Sequence, residues 1–433
     1  MRIGVISLGC PKNTVDTECM LSALDGYVLT KNPLEADVIV INTCAFLASA
    51  RKESREAIKE MLEKTRQNTE CKIVVAGCYV SGDIKELRKK FPKIHAWVGV
   101  NDLMNVAMAV KKGGVYVSGR PFVYKGEERA ALLNPYSAYV KIAEGCNHKC
   151  SFCLIPSIKG KYRSRKISDI TAEIERLAAA GIKEINLISQ DLAYYGVDNY
   201  GKKMLVPLLK KIFKRVKKKI WVRLLYLYPD SEVIRGIAAL MKKEKRLCRY
   251  VDIPFQHVND RILKSMRRGY GRKKIDEITG ILRALPGKTA VRTAFITGYP
   301  GETKAAFGEL REFIINNRVD RAGVFAYSDE PGTRAYRLPG KIPAKEIRRR
   351  ERILRLDSAK SYLYNNLQRK GGKTYVLVIG KKGKNVYVGR TESDAPDIDG
   401  YIILRSKKTL KTGMFYRAVI TGVKNFDVTG EVK

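Results

Sequence analysis

Glu144-Gly145-Cys146-Asn147-His148-Lys149-Cys150-Ser151-Phe152-Cys153 is the stretch from which the fold of this 433-residue chain is read. Three cysteines stand at C-x3-C-x2-C spacing, directly after the apolar alternating run Tyr139-Val140-Lys141-Ile142-Ala143. The run reads as a strand, and it delivers the chain into a short loop that gathers three thiols in one small volume. Thiolate is the usual protein ligand of iron–sulfur clusters, and such sites normally use four. Three ligands leave one iron of a 4Fe–4S cube open to a substrate or cofactor. Two other readings stay open here. Three cysteines with His148 could hold zinc, although zinc sites usually pair ligands from two distant knuckles. A disulfide framework fits poorly with a long chain that has nine cysteines, an odd number.

From residue 139 onward, strand and helix alternate six times. The expected strands are 139–144, 184–189, 221–228, 250–255, 290–297 and 321–327, with helical segments such as 169–180 and 304–316 between them. Six βα units are too few for a closed eight-stranded barrel. In such folds sites lie at the carboxyl ends of the strands. The cysteine loop falls there, as do Ser189-Gln190-Asp191, Pro254-Phe255-Gln256-His257 and Gly298-Tyr299-Pro300-Gly301-Glu302-Thr303. His257 could be a general base, but a cap or packing position at a helix start is the better reading.

Residues 1–130 also alternate. Strands are expected at 2–8, 37–42 and 72–76, with near-continuous apolar runs that suit a parallel sheet covered on both faces. Each strand is followed by a cysteine: Gly9-Cys10, Asn42-Thr43-Cys44 and Gly77-Cys78. Parallel sheets bind ligands at the carboxyl ends of their strands, so these thiols should meet on one sheet edge. A free cysteine can equally be a small buried apolar residue, but three such coincidences are harder to accept than one. Cys19, Cys71 and Cys248 read as bystanders. Residues 113–138, punctuated by Gly and Pro, read as a linker.

Residues 341–369 form a basic helical stretch, and Gly371-Gly372 marks a boundary. Beyond it, short alternating strands separated by glycines read as a small antiparallel barrel. The domains expected are 1–130, 131–369 and 370–433.

The formal net charge is +39 with a pI near 9.9, and residues 131–369 carry +27 of it. Such charge suggests a polyanionic partner, nucleic acid being the commonest; the bland reading is a solvated lysine-rich surface. No apolar run approaches a membrane span, and Met1 to Gly9 lacks a signal peptide's pattern. A cytoplasmic protein with reduced thiols is therefore expected, with no membrane partner.

C-x3-C-x2-C after a first barrel strand resembles the radical S-adenosylmethionine (SAM) enzymes. The resemblance implies an open, partial TIM-like (βα)6 barrel, a 4Fe–4S cluster on Cys146, Cys150 and Cys153, and SAM bound at the open iron and cleaved to a 5′-deoxyadenosyl radical. It places Ser189, Gln190 and Asp191 where that superfamily contacts the SAM amino group, and Gly298 near the adenine. The C-terminal strands resemble the TRAM domain, an OB-like module. With the N-terminal cysteines, the whole chain resembles the methylthiotransferases, which insert –SCH3 at an unactivated C–H bond. Gly9-Cys10-Pro11-Lys12-Asn13, Asn42-Thr43-Cys44-Ala45-Phe46, Ile142-Ala143-Glu144-Gly145-Cys146-Asn147-His148 and Asp394-Ala395-Pro396-Asp397-Ile398-Asp399-Gly400 are similar to the branch that modifies ribosomal protein uS12. That branch implies methylthiolation of an aspartate at its β-carbon and a second 4Fe–4S cluster on Cys10, Cys44 and Cys78. It also implies a sulfur donor, an electron donor, and uS12 as partner in the small ribosomal subunit, with rRNA contact. A tRNA adenosine methylthiotransferase shares these domains and suits the charge; a non-catalytic iron–sulfur RNA-binding protein would need no open iron. Asp394, Asp397 and Asp399, with Glu392, could dock a basic loop of uS12; turn chemistry is the competing account.

Overall fold

The computed structural model describes residues 1–433 apart from 25, 120–122, 125, 127–128, 130–134, 318 and 433 and the side chain of residue 33. Part of the expected linker therefore lies outside the described residues. Strands β1 (Arg2–Ser7), β2 (Val28–Thr30), β3 (Val38–Thr43), β4 (Lys72–Gly77), β5 (Ala96–Gly99) and β6 (Gly114–Tyr116) form one parallel sheet in the order β2-β1-β3-β4-β5-β6. The apolar runs of β3 and β4 are buried, as sheets covered on both faces require. In this doubly wound order the direction of growth reverses between β1 and β3, and ligands bind outside the carboxyl ends at that point. β2, β5 and β6 are additions to the three expected strands. Each has three or four residues, too few to leave a periodic signal, and β6 lies inside the segment read as linker.

The second domain holds β7 (Ser137–Lys141), β8 (Ala143–Glu144), β9 (Arg163–Ser164), β10 (Glu184–Ile188), β11 (Trp221–Leu224), β12 (Leu247–Asp252), β13 (Ala290–Thr297) and β14 (Arg321–Ala326). β7, β10, β11, β12, β13 and β14 pair parallel in chain order. The sheet has two edges, so the barrel stays open. Helices between the strands bury one apolar stripe each, for example Leu208, Leu209 and Ile212 of the helix Leu205–Arg215. The helix Ala344–Leu367 packs against the β14 edge, where Ser358 Oγ donates to Ala322 O at 3.1 Å.

β15 (Lys373–Gly383), β16 (Val386–Thr391), β17 (Ile402–Ser406), β18 (Phe415–Lys424) and β19 (Asp427–Val432) close a barrel in the order β15-β16-β17-β19-β18. All pairs are antiparallel except β17 with β19. The chain leaves β17, returns along β18 and then runs beside β17 in the same direction. Among the described residues no helix is long and apolar enough to cross a membrane.

The helix Pro11–Ser22 is buried nearly all round, Asn13, Asp16 and Glu18 included. It lies between the first sheet and β7. Val15 and Cys19 on this helix share a core with Tyr139, Trp221, Cys248 and Tyr250 of the barrel and Leu377 of the last domain. Cys19 and Cys248 are thus packing residues, and Cys71 lies against the core of the first sheet. The seam between barrel and last domain is ionic as well as apolar: Glu184 pairs with Arg223 at 2.8 Å and with Arg390.

Asp394 and Asp399 face inward, which corrects their reading as docking residues. Asp394 is buried and pairs with Arg321; Arg369 lies 3.8 Å away. Asp399 contacts the same Arg321 at 3.2 Å, its side chain 4% exposed. These charges are neutralised within the chain by arginines from elsewhere in the fold, which a local reading cannot see. Asp397 alone of the three is solvent-exposed, and it accepts a hydrogen bond from Tyr139 Oη at 3.0 Å.

Candidate active site

The barrel's cysteine loop is pinned at both ends. Gly145 has φ +82°, and a Cβ there would lie 2.1 Å from Lys161 O, so only glycine fits. Cys146 N donates to Gly160 O at 3.1 Å, and Ser151 N donates to Met266 O at 3.1 Å. Ile155 N donates to Cys153 Sγ at 3.4 Å, and Arg268 Nη1 donates to Cys150 Sγ at 3.1 Å. The three cysteines line a cleft of about 520 Å³ together with His148, Arg267 and Arg334. Burial pushes the Cys146 thiol up to about 11 and Cys153 up to about 12. Both are neutral thiols until a metal displaces their protons.

The other triad is assembled by topology. Cys10, Cys44 and Cys78 follow β1, β3 and β4, three neighbouring strands flanking the reversal point. Gly9, at φ +91°, lets the chain pass Cys44: a Cβ there would lie 2.8 Å from Cys44 Cβ and 3.1 Å from its Sγ. Cys78 Sγ donates to Asn13 Oδ1 at 3.8 Å. Asn13 in turn donates to Leu8 O and Thr43 O, and Asn42 donates to Asn13 O. Burial pushes Cys78 up to about 12 and raises Cys44, and Cys10 adds to both shifts. Among the described residues no three His, Cys, Asp or Glu are gathered as for one bound metal ion. A four-iron cube spreads its thiolates over separate irons, so grouping around a common space is the relevant geometry. Both triads fit it.

Between the triads runs a buried ionic cluster that composition and spacing did not reveal. Asp16 accepts from Lys141 and, at 3.0 Å, from Lys159. Glu144 accepts from Lys141 at 2.7 Å and lies 3.5 Å from Lys159. Asp16 belongs to the N-terminal domain and the other three to the barrel. Burial alone would raise Glu144, but Lys141 and Lys159 outweigh it and hold the carboxyl well below its ordinary range. Lys141 alternates with apolar residues in a strand, which hid it.

The SAM-contact candidates lie beside this cluster. Ser189 is fully buried and accepts from Asp191 N at 3.1 Å. Asp191 contacts His148 Nε2 at 2.7 Å and accepts from Ala193 N and Tyr228 N. His148 stacks on Tyr228 with centroids 3.9 Å apart. Asp191 thus orients the cysteine loop. Gln190 donates to Glu144, while its Oε1 is buried without a partner among the described residues, an acceptor that suits an ammonium group. Gly298 has φ +79°, and a Cβ there would lie 2.6 Å from Ile347 Cγ1; its missing side chain makes room for the helix Ala344–Leu367. His257 is fully buried, accepts from Asn259 N at 3.0 Å and faces Glu302 at 3.5 Å. It is packed just before the helix Asp260–Ser265, whose N-cap is Asn259.

Three family models match: uncharacterized protein family UPF0004 over residues 2–99, the radical SAM superfamily over 140–314, and the TRAM domain over 372–432. An open parallel barrel that carries its thiol loop after the first strand thus defines a radical SAM protein. Ribosomal protein uS12 methylthiotransferase RimO of Pelotomaculum thermopropionicum is 43% identical over 444 residues, covering 100% of this chain and 99% of the relative. The RimO of Caldanaerobacter subterraneus subsp. tengcongensis is 41% identical over 439 residues, covering 99% of each. The chain belongs to this RimO family of methylthiotransferases. Among solved structures, the radical SAM methyltransferase TsrM of Kitasatospora setae, with cobalamin and a 4Fe–4S cluster bound, superimposes with a TM-score of 0.58 at 16% identity, over 77% of this chain and 76% of that one. The cobalamin-dependent SAM radical enzyme OxsB, with SAM bound, gives a TM-score of 0.53 at 12% identity, over 82% and 56%. At such identities the likeness is one of fold.

Proposed function

We propose that this protein transfers a methylthio group to the β-carbon of an aspartate of ribosomal protein uS12, using SAM and two 4Fe–4S clusters. The observation that carries this is the full-length 43% identity to a uS12 methylthiotransferase. Two separate thiol triads, joined by one buried ionic cluster, support two clusters rather than one. Cys146, Cys150 and Cys153 would hold the first, and Cys10, Cys44 and Cys78 the second.

A C–H bond beside a carboxylate is too weakly acidic for ordinary base chemistry. When bound, a reduced 4Fe–4S cluster supplies the electron for SAM cleavage, and with it radical chemistry at unactivated carbon. The chain's own residues provide placement. Asp16, Lys141, Glu144 and Lys159 fix the spacing of the two triads. Gln190 Oε1 offers an acceptor to the SAM amino group. Asp191, through His148, holds the loop that carries Cys146 and Cys150. The reaction needs an electron donor and a sulfur donor from outside.

The test is mass spectrometry of uS12 and tRNA from a deletion strain. Loss of the methylthio group from uS12 with tRNA unchanged is expected. The net charge of +39 favours nucleic acid as a partner, so the reverse outcome would support tRNA adenosine as the substrate. Iron and sulfide analysis of the reconstituted protein should give about eight of each, and about four would remove one cluster. The charge of residues 131–369 supports rRNA contact during modification of uS12 in the small subunit. Binding to that subunit should weaken steeply with salt.

A further inference from the structure

We propose that Lys12 is the receptor for the side-chain carboxylate of the substrate. This builds on the reading above, in which the substrate is an aspartate modified at its β-carbon. The carboxylate is then one bond from the reacting carbon, and whatever grips it fixes that carbon. Such a group must be cationic, must stand beside the second thiol triad, and must reach the barrel mouth. It must also keep its charge free of partners within the chain.

Lys12 meets each condition. It follows Cys10 by two residues. Its ammonium lies 3.5 Å from the ring centroid of Tyr226, a residue just beyond the carboxyl end of β11, on the face of the barrel where sites form. Burial, Asp252 and Cys10 push the Tyr226 hydroxyl up, so triad, lysine and barrel mouth share one neighbourhood. Tyr226 holds this place with φ +67°, a left-handed backbone that costs a non-glycine residue roughly 1–3 kcal/mol and persists mainly at functional sites.

The contrast with the buried cations is sharp. Lys141, Lys159, Arg129, Arg223, Arg292 and Arg321 all pair with carboxylates. Among the described residues no carboxylate pairs with the half-buried Lys12. A ring face engages one side of an ammonium and leaves N–H donors free for an anionic acceptor. The tyrosine thus positions the charge without neutralising it.

The experiment is a double-mutant cycle on binding. Reconstituted full-length enzyme, wild type and Lys12→Gln, is titrated with uS12 and with uS12 whose target aspartate is changed to asparagine. Each single change should weaken binding roughly 10- to 100-fold, the range for losing a charge-assisted hydrogen bond, and the double change should weaken it little further. Lys12→Arg should keep most of the coupling. Additive losses overturn the proposal, because a structural lysine would not sense the substrate's charge. If Lys12→Gln loses its iron, the cycle is run with Lys12→Met, which keeps the length of the side chain and removes its charge, and additivity there overturns it equally. Failure of the wild type to methylthiolate uS12 would instead overturn the proposed function.

Discussion

The two thiol triads are built with opposite architectures. The barrel triad lies within eight consecutive residues, Cys146 to Cys153, and is shaped by turns, local hydrogen bonds and Gly145. The sheet triad runs from Cys10 to Cys78 and exists only because β1, β3 and β4 lie side by side. The first is a local device set on a fold; the second is a property of the fold. Local damage should therefore break the barrel site while sparing the sheet site. The reverse requires altering one of its cysteines or the sheet.

The largest effect should separate the two chemically. Cys150→Ala is expected to abolish 5′-deoxyadenosine formation, whereas Cys44→Ala should leave that cleavage largely intact and prevent thiolation. Chromatography of the nucleoside and mass spectrometry of uS12 read both. Loss of cleavage in Cys44→Ala with the barrel iron retained would end the division of labour. Next, Gly145→Ala forces a side chain against backbone at Lys161, while Gly9→Ala meets side chains only, those of Cys44 and Asn13. We expect Gly145→Ala to lose about half the bound iron and all SAM cleavage, and Gly9→Ala to keep cleavage.

A third effect concerns the ionic cluster joining the triads. The folded state holds Glu144 below its ordinary 4.5, so the unfolded chain takes up the proton first as pH falls. The stability that Glu144 contributes is complete above about pH 4.5 and is lost progressively below it. The thermal midpoint of the wild type should fall in that window, and that of Glu144→Gln should fall less. An equally steep fall in Glu144→Gln would place the acid sensitivity elsewhere, Glu173 and Glu184 being held low in the same way. The smallest effect belongs to a region remote in sequence from both triads. Asp397→Asn should change stability by no more than about 0.5 kcal/mol, as exposed substitutions do. Asp394→Asn removes a buried carboxylate from Arg369 and from Arg321, which keeps Asp399, and should cost more, up to roughly 3–5 kcal/mol. Urea denaturation that ranks them in reverse would return the acidic stretch to the surface.

The same contrast explains what the sequence made legible. The barrel site is a contiguous motif, so its cysteines are readable residue by residue. The sheet site is readable one step removed, because apolar runs identify the strands and each strand ends in cysteine. Long strands with strong patterns are visible, while β2, β5 and β6 are too short to be. The roles of Lys141, Asp394 and Asp399 were hidden for a common reason. Each is a charged residue whose partner is contributed by a distant element, so its burial is decided by tertiary pairing, and local composition points to solvent. Lys12 was visible within a motif, but only Tyr226 across the seam shows where its ammonium is held.

The helix Pro11–Ser22 sets an order on maturation. Its buried acids find their partners late: Asp16 and Lys159 are 143 residues apart. While the chain is being synthesised, this helix emerges long before the strand that will cover it, and charged groups destined for the interior wait in water. Contacts closed over such distances form slowly. The first sheet can pair its strands early, but Asp16 stays unpaired until the barrel supplies Lys141 and Lys159. An N-terminal fragment ending before residue 137 is therefore expected to bind iron loosely and exchange it quickly. In the longer chain, a segment made before the barrel is among the last to be sealed.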